Sequence, residues 1–137
     1  MGKFECLTRY LSVIDLDEIG TWVFNNKDDR PGAPVRAPYI KYTGMVLLFI
    51  KDVFDFRDRN ADLGLDRYDL ILQENGIKWG QKTMKEADVS QMDGRGVIAL
   101  IIGVLRAEHF SDGQILDFFK DGTMKKWLKR LKEIDRT

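Results

Sequence analysis

The sequence is poor in the residues that form disulfides and metal sites. Its 137 residues include one cysteine, Cys6, and one histidine, His109. A lone cysteine excludes an internal disulfide, and a lone histidine excludes a metal site built from several histidines. The sequence also has no CxxC, HExxH or GxSxG motif and no glycine-rich phosphate-binding loop. These absences predict no cofactor and do not favour an enzyme.

The sequence also lacks an excess of either charge, because 22 basic residues balance 22 acidic ones. Proteins that mainly bind nucleic acid or an anionic membrane usually carry a basic excess, so nucleic acid is a disfavoured partner. The longest uncharged apolar runs, residues 42–50 and 96–105, are shorter than the roughly 20 residues of a transmembrane helix. No apolar signal-like segment follows Met1 either. We therefore expect no membrane association and a cytoplasmic location.

The apolar residues that are present recur mostly at helical spacing. They make up 44% of the chain, enough for a hydrophobic core in a domain of this size. Their three- and four-residue steps predict an all-α single domain, residues 1–137, of about six helices in a compact bundle. The expected helices are residues 3–15, 41–56, 66–75 and 93–109, and one on each side of the Asp121-Gly122 break, whereas residues 77–90 show little pattern.

Three local patterns refine this prediction. Leu47 and Leu48 widen the apolar face of the second helix. Asn75-Gly76 is typical of a left-handed helix end. Ser111 and Gln114 are spaced as a capping box, which predicts the start of the fifth helix.

Residues 21–40 interrupt the helical pattern and contain all three prolines of the chain. They predict a short β-hairpin or an irregular insertion, the hairpin pairing residues 22–24 with residues near 35–39. Two roles are open for the aromatic segment in and beside this insertion. It lines a pocket or a partner-binding groove, or it pins the insertion onto the helical core. Its residues are Trp22, Pro38, Tyr39 and Tyr42.

Polar residues cluster near the end of the fourth helix. His109 is the single histidine that a catalytic base would require, and Arg106 and Asp112 lie close to it in sequence. Residues this close in sequence at a turn rarely converge as nucleophile, base and orienting group. Three interpretations of the cluster stay open: a small active site, a ligand surface, or a helix-end group in which Arg106 pairs with Asp112.

The last helix carries an apolar stripe and an opposite basic face. Lys125, Lys126, Lys129 and Arg130 are candidates for phosphate contacts in a weak nucleic-acid binder. The same pattern is typical of an ordinary surface helix, because lysines solvate the face opposite the core.

An acidic loop partly matches a calcium-binding pattern. Asp58, Asn60, Asp62, Asp66 and Asp69 occupy the first, third, fifth, ninth and twelfth positions of an EF-hand-like loop. The position that needs glycine for a sharp turn is occupied instead by Leu63, and glycine follows one place late. A solvated linker between helices explains the loop without a metal.

Two stretches of the chain carry a resemblance. The first is Gly20-Thr21-Trp22-Val23 followed by Pro38-Tyr39-Ile40-Lys41-Tyr42. The second runs from Val97 through Arg106-Ala107-Glu108-His109-Phe110-Ser111-Asp112-Gly113 to Trp127-Leu128-Lys129-Arg130-Leu131-Lys132-Glu133. The chain resembles a family of small, uncharacterised bacterial proteins classed only as a domain of unknown function. The resemblance implies a bacterial origin and a helical fold, and it transfers no active site.

The leading functional hypothesis is a non-enzymatic module that binds a protein or a small ligand. A homodimer or another protein partner would use the region of Trp22, Tyr39 and Tyr42, or the final helix. Weak nucleic-acid binding and a small enzyme built on Arg106, His109 and Asp112 are the alternatives.

Overall fold

The computed structural model describes residues 2–15, 18–23 and 38–136. In this part of the chain, seven α-helices surround one core and a two-stranded antiparallel hairpin lies beside them. The expected all-α class is confirmed. The elements are α1 (Glu5–Thr8), β1 (Gly20–Val23), β2 (Tyr39–Tyr42), α2 (Gly44–Arg59), α3 (Tyr68–Glu74), α4 (Gln81–Glu86), α5 (Gly94–Phe110), α6 (Gln114–Lys120) and α7 (Thr123–Asp135). Four short 3-10 segments accompany them: Arg9–Ser12, Ala61–Leu63, Leu65–Arg67 and Val89–Gln91.

Helix α5 is the centre of the bundle, as its apolar sequence predicts. Every residue from 96 to 105 is buried, and helices α3, α6 and α7 pack around it. The helix begins where the side chain of Asp93 accepts a hydrogen bond from the backbone N–H of Gly96 at 2.8 Å. At Gly94 a Cβ atom would overlap the ring of Phe4, so this glycine permits close packing of the N-terminal segment. No helix within the described ranges is long and apolar enough to cross a membrane.

Several helical details differ from the sequence prediction. Helix α4 is additional to the six helices that the sequence predicts, and it lies within residues 77–90, where the apolar pattern is weak. Leu47 and Leu48 are 56% and 58% exposed, so the prediction that they widen the buried face is wrong. Helix α2 buries one narrow face, and both leucines lie outside it. That face consists of Val46, Phe49, Val53 and Phe56.

The insertion forms a hairpin, one of the two predicted alternatives. Gly20 pairs with Tyr42, and Trp22 pairs with Ile40. The expected pairing of residues 22–24 with residues near 35–39 is confirmed at Val23, which pairs with Tyr39, while Trp22 pairs one residue beyond the expected range. Residues 24 and 35–37 lie outside the described residues. Because Gly20 has no side chain, it leaves room for the ring of Tyr42 across the ladder. Strand β2 ends at Tyr42 and helix α2 begins at Gly44, so this end of the ladder lies next to the start of α2.

The helix end predicted at Asn75-Gly76 is confirmed. Gly76 adopts a φ of 72°, and the N–H of Ile77 donates to the carbonyl of Leu72 at 2.9 Å. This left-handed turn ends helix α3 and directs the chain toward Trp79.

Candidate functional site

The hairpin meets the helical bundle at the carboxylate of Glu108, in the last turn of α5. The hydroxyl of Tyr42 donates a hydrogen bond to Glu108 Oε1 at 2.5 Å. The backbone N–H groups of Gly113 and Ile115 donate to the two carboxylate oxygens, each at 2.8 Å. The first N–H groups of a helix have no partner within the helix and attract negative charge. Glu108 therefore caps helix α6 from the preceding helix and binds the hairpin at the same point.

The predicted capping box at Ser111 and Gln114 is wrong. Helix α6 begins at Gln114 after Gly113, whose φ is 101°, and Ser111 ends helix α5 instead. The amide of Gln114 donates to the Ser111 hydroxyl at 3.4 Å, but no side chain at the N-cap position caps the helix. The left-handed turn at Gly113 points the first N–H groups of α6 back toward Glu108, which takes over this role.

Trp22 packs onto this turn from the hairpin. A Cβ atom placed on Gly113 would lie 3.1 Å from Trp22 Cζ2 and 3.5 Å from Ile40 Cδ1. The indole thus covers the glycine, while 39% of the Trp22 side chain stays exposed. Of the two roles left open by the sequence, pinning the insertion onto the core describes this contact.

Tyr42 has the same anchoring role. Burial raises the pKa of its hydroxyl, and the adjacent Glu108 carboxylate raises it further. The hydroxyl therefore remains a protonated hydrogen-bond donor. It also accepts a hydrogen bond from the N–H of Leu116 at 3.3 Å. The two neighbouring candidates, Pro38 and Tyr39, are exposed.

Arg106, His109 and Asp112 do not form a joined cluster. All three are exposed, and in the described part of the chain no hydrogen bond or ion pair connects any two of them. The expected pair between Arg106 and Asp112 is therefore wrong. The Arg106 guanidinium lies 5.7 Å from the centre of the Phe54 ring, and His109 contacts the ring of its neighbour Phe110 edge-on. This arrangement does not hold an acid and a base on one substrate.

Helix α7 uses most of its candidate phosphate-binding cations in internal contacts. Within residues 2–15, 18–23 and 38–136, Lys129 is the one member of the predicted set without a hydrogen bond or an ion pair. The others, Lys125, Lys126 and Arg130, bind the carboxylate of Asp15, the carbonyl of Lys85 and the carbonyl of Met92, respectively. Cations held in this way contribute less to a phosphate-binding surface than free ones.

The acidic loop does not gather its oxygens around one point. Asp58 and Asp66 flank the guanidinium of Arg57 at 3.1 and 3.5 Å, and the Asn60 side chain donates to a backbone carbonyl of helix α2. Asp62 is exposed, and Asp69 pairs with Arg67 at 3.7 Å. No group of three or more His, Cys, Asp or Glu side chains among the described residues could hold a metal ion.

The sequence prediction missed an apolar groove, which we call the Trp79–Phe110 groove. It has a volume of about 250 Å³ and lies between α4, α5 and α6. Its lining residues are Trp79, Gly80, Gln81, Met84, Val104, Ala107, Phe110, Ser111, Gln114 and Phe118. Phe110 is 77% exposed and Trp79 is 45% exposed, so two aromatic rings border the opening.

The wall of this groove is fixed by a small residue in helix α5. The indole N–H of Trp79 donates to the carbonyl of Gly103 at 3.3 Å. A Cβ atom on Gly103 would lie 2.8 Å from Met84 Cε and 3.5 Å from the Trp79 ring. Because Gly103 has no side chain, Trp79 and Met84 pack directly against helix α5.

The groove and the hairpin junction share the turn between α5 and α6. Ser111 and Gln114 line the groove, while Gly113 between them lies under Trp22. A sequence signal for the groove is present in Phe110, which follows the polar end of α5 as a large apolar residue beyond the buried stripe. The sequence prediction named Phe110 only within the stretch that carries the resemblance and gave it no role.

The two stretches that carry the resemblance are in contact at this turn. Trp22 packs on Gly113, and the hydroxyl of Tyr42 donates a hydrogen bond to Glu108. No curated protein and no solved structure matches the chain significantly. A family model described as a family of unknown function, DUF6508, matches residues 15–137. Because this match covers most of its length, the chain belongs to the DUF6508 family.

Proposed function

We propose that this protein is a non-enzymatic protein-interaction module and that the Trp79–Phe110 groove is its contact surface. The observation that carries the proposal is the ring of Phe110, which is 77% exposed at the edge of an apolar groove. Aromatic side chains beside a concave apolar surface are typical of interaction sites, because they bury a large area at a small entropic cost.

The chemistry of the groove supports binding rather than catalysis. None of its lining residues carries a titratable side chain, and its polar groups are the amides and hydroxyl of Gln81, Gln114 and Ser111. General acid–base catalysis needs a positioned group that takes up and releases a proton. Polar groups of this kind orient a bound partner through hydrogen bonds instead.

The size of the groove supports a protein side chain as the bound group. Small-molecule sites usually have volumes of about 300–1,000 Å³. The groove, at about 250 Å³, is smaller. An apolar cavity of about 150 Å³ already accepts a benzene molecule. One aromatic or large aliphatic side chain of a partner therefore fits this space.

Hydrogen bonds hold the residues at both edges of the groove, which supports a binding surface that is formed before a partner arrives. Trp79 is held by its hydrogen bond to Gly103, and the turn at the other edge is held by Glu108. A surface that is ordered before binding loses less conformational entropy when the partner arrives.

Selection of peptides from a random phage-displayed library on the immobilised protein tests this proposal. We expect enrichment of peptides with a central aromatic or large aliphatic residue. Those peptides should lose binding to Phe110→Ser and keep binding to Leu48→Ser, the matched control with an exposed apolar residue on α2. Failure to enrich any peptide, or peptides that bind Phe110→Ser as well as the wild type, would reject the proposal.

We also propose that residues 1–137 form one domain. The support is one hydrophobic core to which all seven helices of the described residues contribute. A bacterial origin and a cytoplasmic location stay predictions from the sequence.

A further inference from the structure

We propose that one side of helix α7 binds the phosphate backbone of duplex nucleic acid through three cations, Lys129, Lys132 and Arg136. All three are exposed, and within the described residues none of their side chains forms a hydrogen bond or an ion pair. We call this set the Lys129–Arg136 row. It shares no residue with the lining of the Trp79–Phe110 groove, so this inference is independent of the proposed function.

The spacing along α7 brings the three cations to one side of the helix. Steps of three and four residues separate them, which places side chains one turn apart on the same face. Together with Lys125 they line one hollow of about 460 Å³, so their charges act on the same space. The row spans about 10 Å along the helix axis. A strand of duplex DNA places a phosphate about every 3.4 Å along its axis, so about three phosphates lie within this length.

The acidic residues beside the row are engaged by other groups. Asp15 lines the same hollow, and it pairs with Lys125. Glu133 lines it as well and contacts the guanidinium of Arg130 at 3.4 Å. Asp135, the other acid of α7, accepts a backbone N–H of the segment before α1 at 2.9 Å. An anion that meets the row therefore does not have to displace an internal partner of its three cations.

The neutral charge of the whole chain hides a local excess of positive charge. Residues 120–137 carry seven basic side chains and three acidic ones. Attraction of a polyanion depends on the potential of the surface that it meets, and a local basic patch supplies this potential. From the set predicted from the sequence the row keeps Lys129. The other three bind groups of the chain itself, and Lys132 and Arg136 take their place.

The surroundings of the row favour nucleic acid over an anionic membrane or an acidic protein. A helix that lies on a membrane inserts its apolar face into the lipid. The apolar face of α7 is buried in the core of the bundle, through Met124, Trp127, Leu128 and Leu131. The phosphates of a duplex carry one charge each at a regular spacing, which matches a regular row of single cations.

Fluorescence anisotropy with a labelled duplex of about 20 base pairs tests the inference, over a series from about 20 to about 200 mM salt. Three phosphate contacts predict that the logarithm of the association constant falls against the logarithm of the salt concentration with a slope of about −2.7. Each single change, Lys129→Gln, Lys132→Gln or Arg136→Gln, should reduce this slope by about 0.9. The variant with all three changes should bind at least about tenfold more weakly at the lowest salt concentration.

A second triple variant separates the position of the charges from their number. Lys41→Gln, Lys78→Gln and Lys82→Gln together remove three exposed cations outside α7, whose side chains likewise have no hydrogen bond or ion pair in the described part of the chain. Both triple variants lose the same charge, and circular dichroism verifies that both are folded. The control should keep the slope of the wild type and an association constant within about twofold of it.

Three results would overturn the inference. The first is the absence of binding at the lowest salt concentration. The second is an equal loss of binding in both triple variants, which would mean that net charge alone drives the association. The third is tighter binding to polyglutamate or to phosphatidylglycerol vesicles than to the duplex, which would assign the row to an acidic protein or to a membrane. None of these results bears on the peptide selection, which tests the groove.

Discussion

The hydroxyl of Tyr42 and the carboxylate of Glu108 are joined by a hydrogen bond of 2.5 Å, although 66 positions separate them in the sequence. The same carboxylate accepts the backbone N–H groups of Gly113 and Ile115. One side chain thus connects the hairpin, the end of α5 and the start of α6. Since the turn it fixes also forms an edge of the Trp79–Phe110 groove, the stability of this connection bears on the binding surface.

Replacing Glu108 by alanine should lower the free energy of unfolding by about 2–4 kcal/mol, because a helix cap and several charge-assisted hydrogen bonds are lost. Tyr42→Phe removes one of these bonds and also the bond that the hydroxyl accepts from the N–H of Leu116, and should cost about 1–2 kcal/mol. Urea unfolding followed by circular dichroism measures both values. Glu74→Ala is the control, because Glu74 is exposed and its one ion pair within the described residues is with Arg95 at 3.2 Å. It should cost less than about 1 kcal/mol, and an equal cost at Glu108 would contradict the capping role.

The hydroxyl of Tyr42 should make stability depend on alkaline pH. Burial and the Glu108 carboxylate raise its pKa in the folded protein above that of an unfolded tyrosine, near 10. The neutral hydroxyl therefore stabilises the fold fully below about pH 10, and this contribution falls as the pH rises further, by at most about 1.4 kcal/mol per pH unit. Urea unfolding at pH 8 to 11 should show the difference between wild type and Tyr42→Phe shrinking above about pH 10. A difference that stays constant over this range would contradict the assignment.

Three glycine-to-alanine substitutions separate backbone strain from steric overlap at the turn under Trp22. Gly113→Ala faces both, because its φ is 101° and a Cβ atom would lie 3.1 Å from Trp22. Gly122 has a φ of 86° but open space around it, and Gly44 has open space and no left-handed backbone. We expect Gly113→Ala to lose more than about 2 kcal/mol, Gly122→Ala about 1 kcal/mol, and Gly44→Ala nothing.

Urea unfolding followed by circular dichroism measures the three free energies. Equal losses at Gly113 and Gly122 would show that the indole does not press on the turn.

Regular apolar spacing predicted helices α2, α5 and α7, but the same spacing over residues 3–15 gives an α-helix only at Glu5–Thr8, followed by the 3-10 segment Arg9–Ser12. The sequence also missed features that depend on reversals of the chain. Helix α5 is buried from Gly96 to Leu105 and helix α7 has one apolar stripe, so the presence of both helices follows from spacing alone. Helix α4 buries only Met84, which leaves too little periodicity to predict it.

The candidate site was harder to predict because its contacts join distant segments. Ser111 and Gln114 have the spacing of a capping box, but the left-handed conformation of Gly113 turns the helix start toward Glu108 instead. The groove needs Trp79, just before α4, and Phe110, at the end of α5, to border one hollow, which no local pattern encodes. The contact between Trp22 and Gly113 matches one of the two roles that the sequence left open for Trp22.

Two neighbouring cations on α7 should differ sharply in their effect on stability. The guanidinium of Arg130 donates two hydrogen bonds to the carbonyl of Met92, at 2.9 and 3.1 Å, and so ties α7 to the segment before α5. Arg130→Ala should therefore lower the free energy of unfolding by about 1–3 kcal/mol. Lys129 is exposed and forms no such bond within the described residues, so Lys129→Ala should stay within about 0.5 kcal/mol of the wild type. Urea unfolding of both variants under the same conditions checks this difference. Similar small effects at both positions would mean that Arg130 is as free as Lys129, which would return Arg130 to consideration as a phosphate contact.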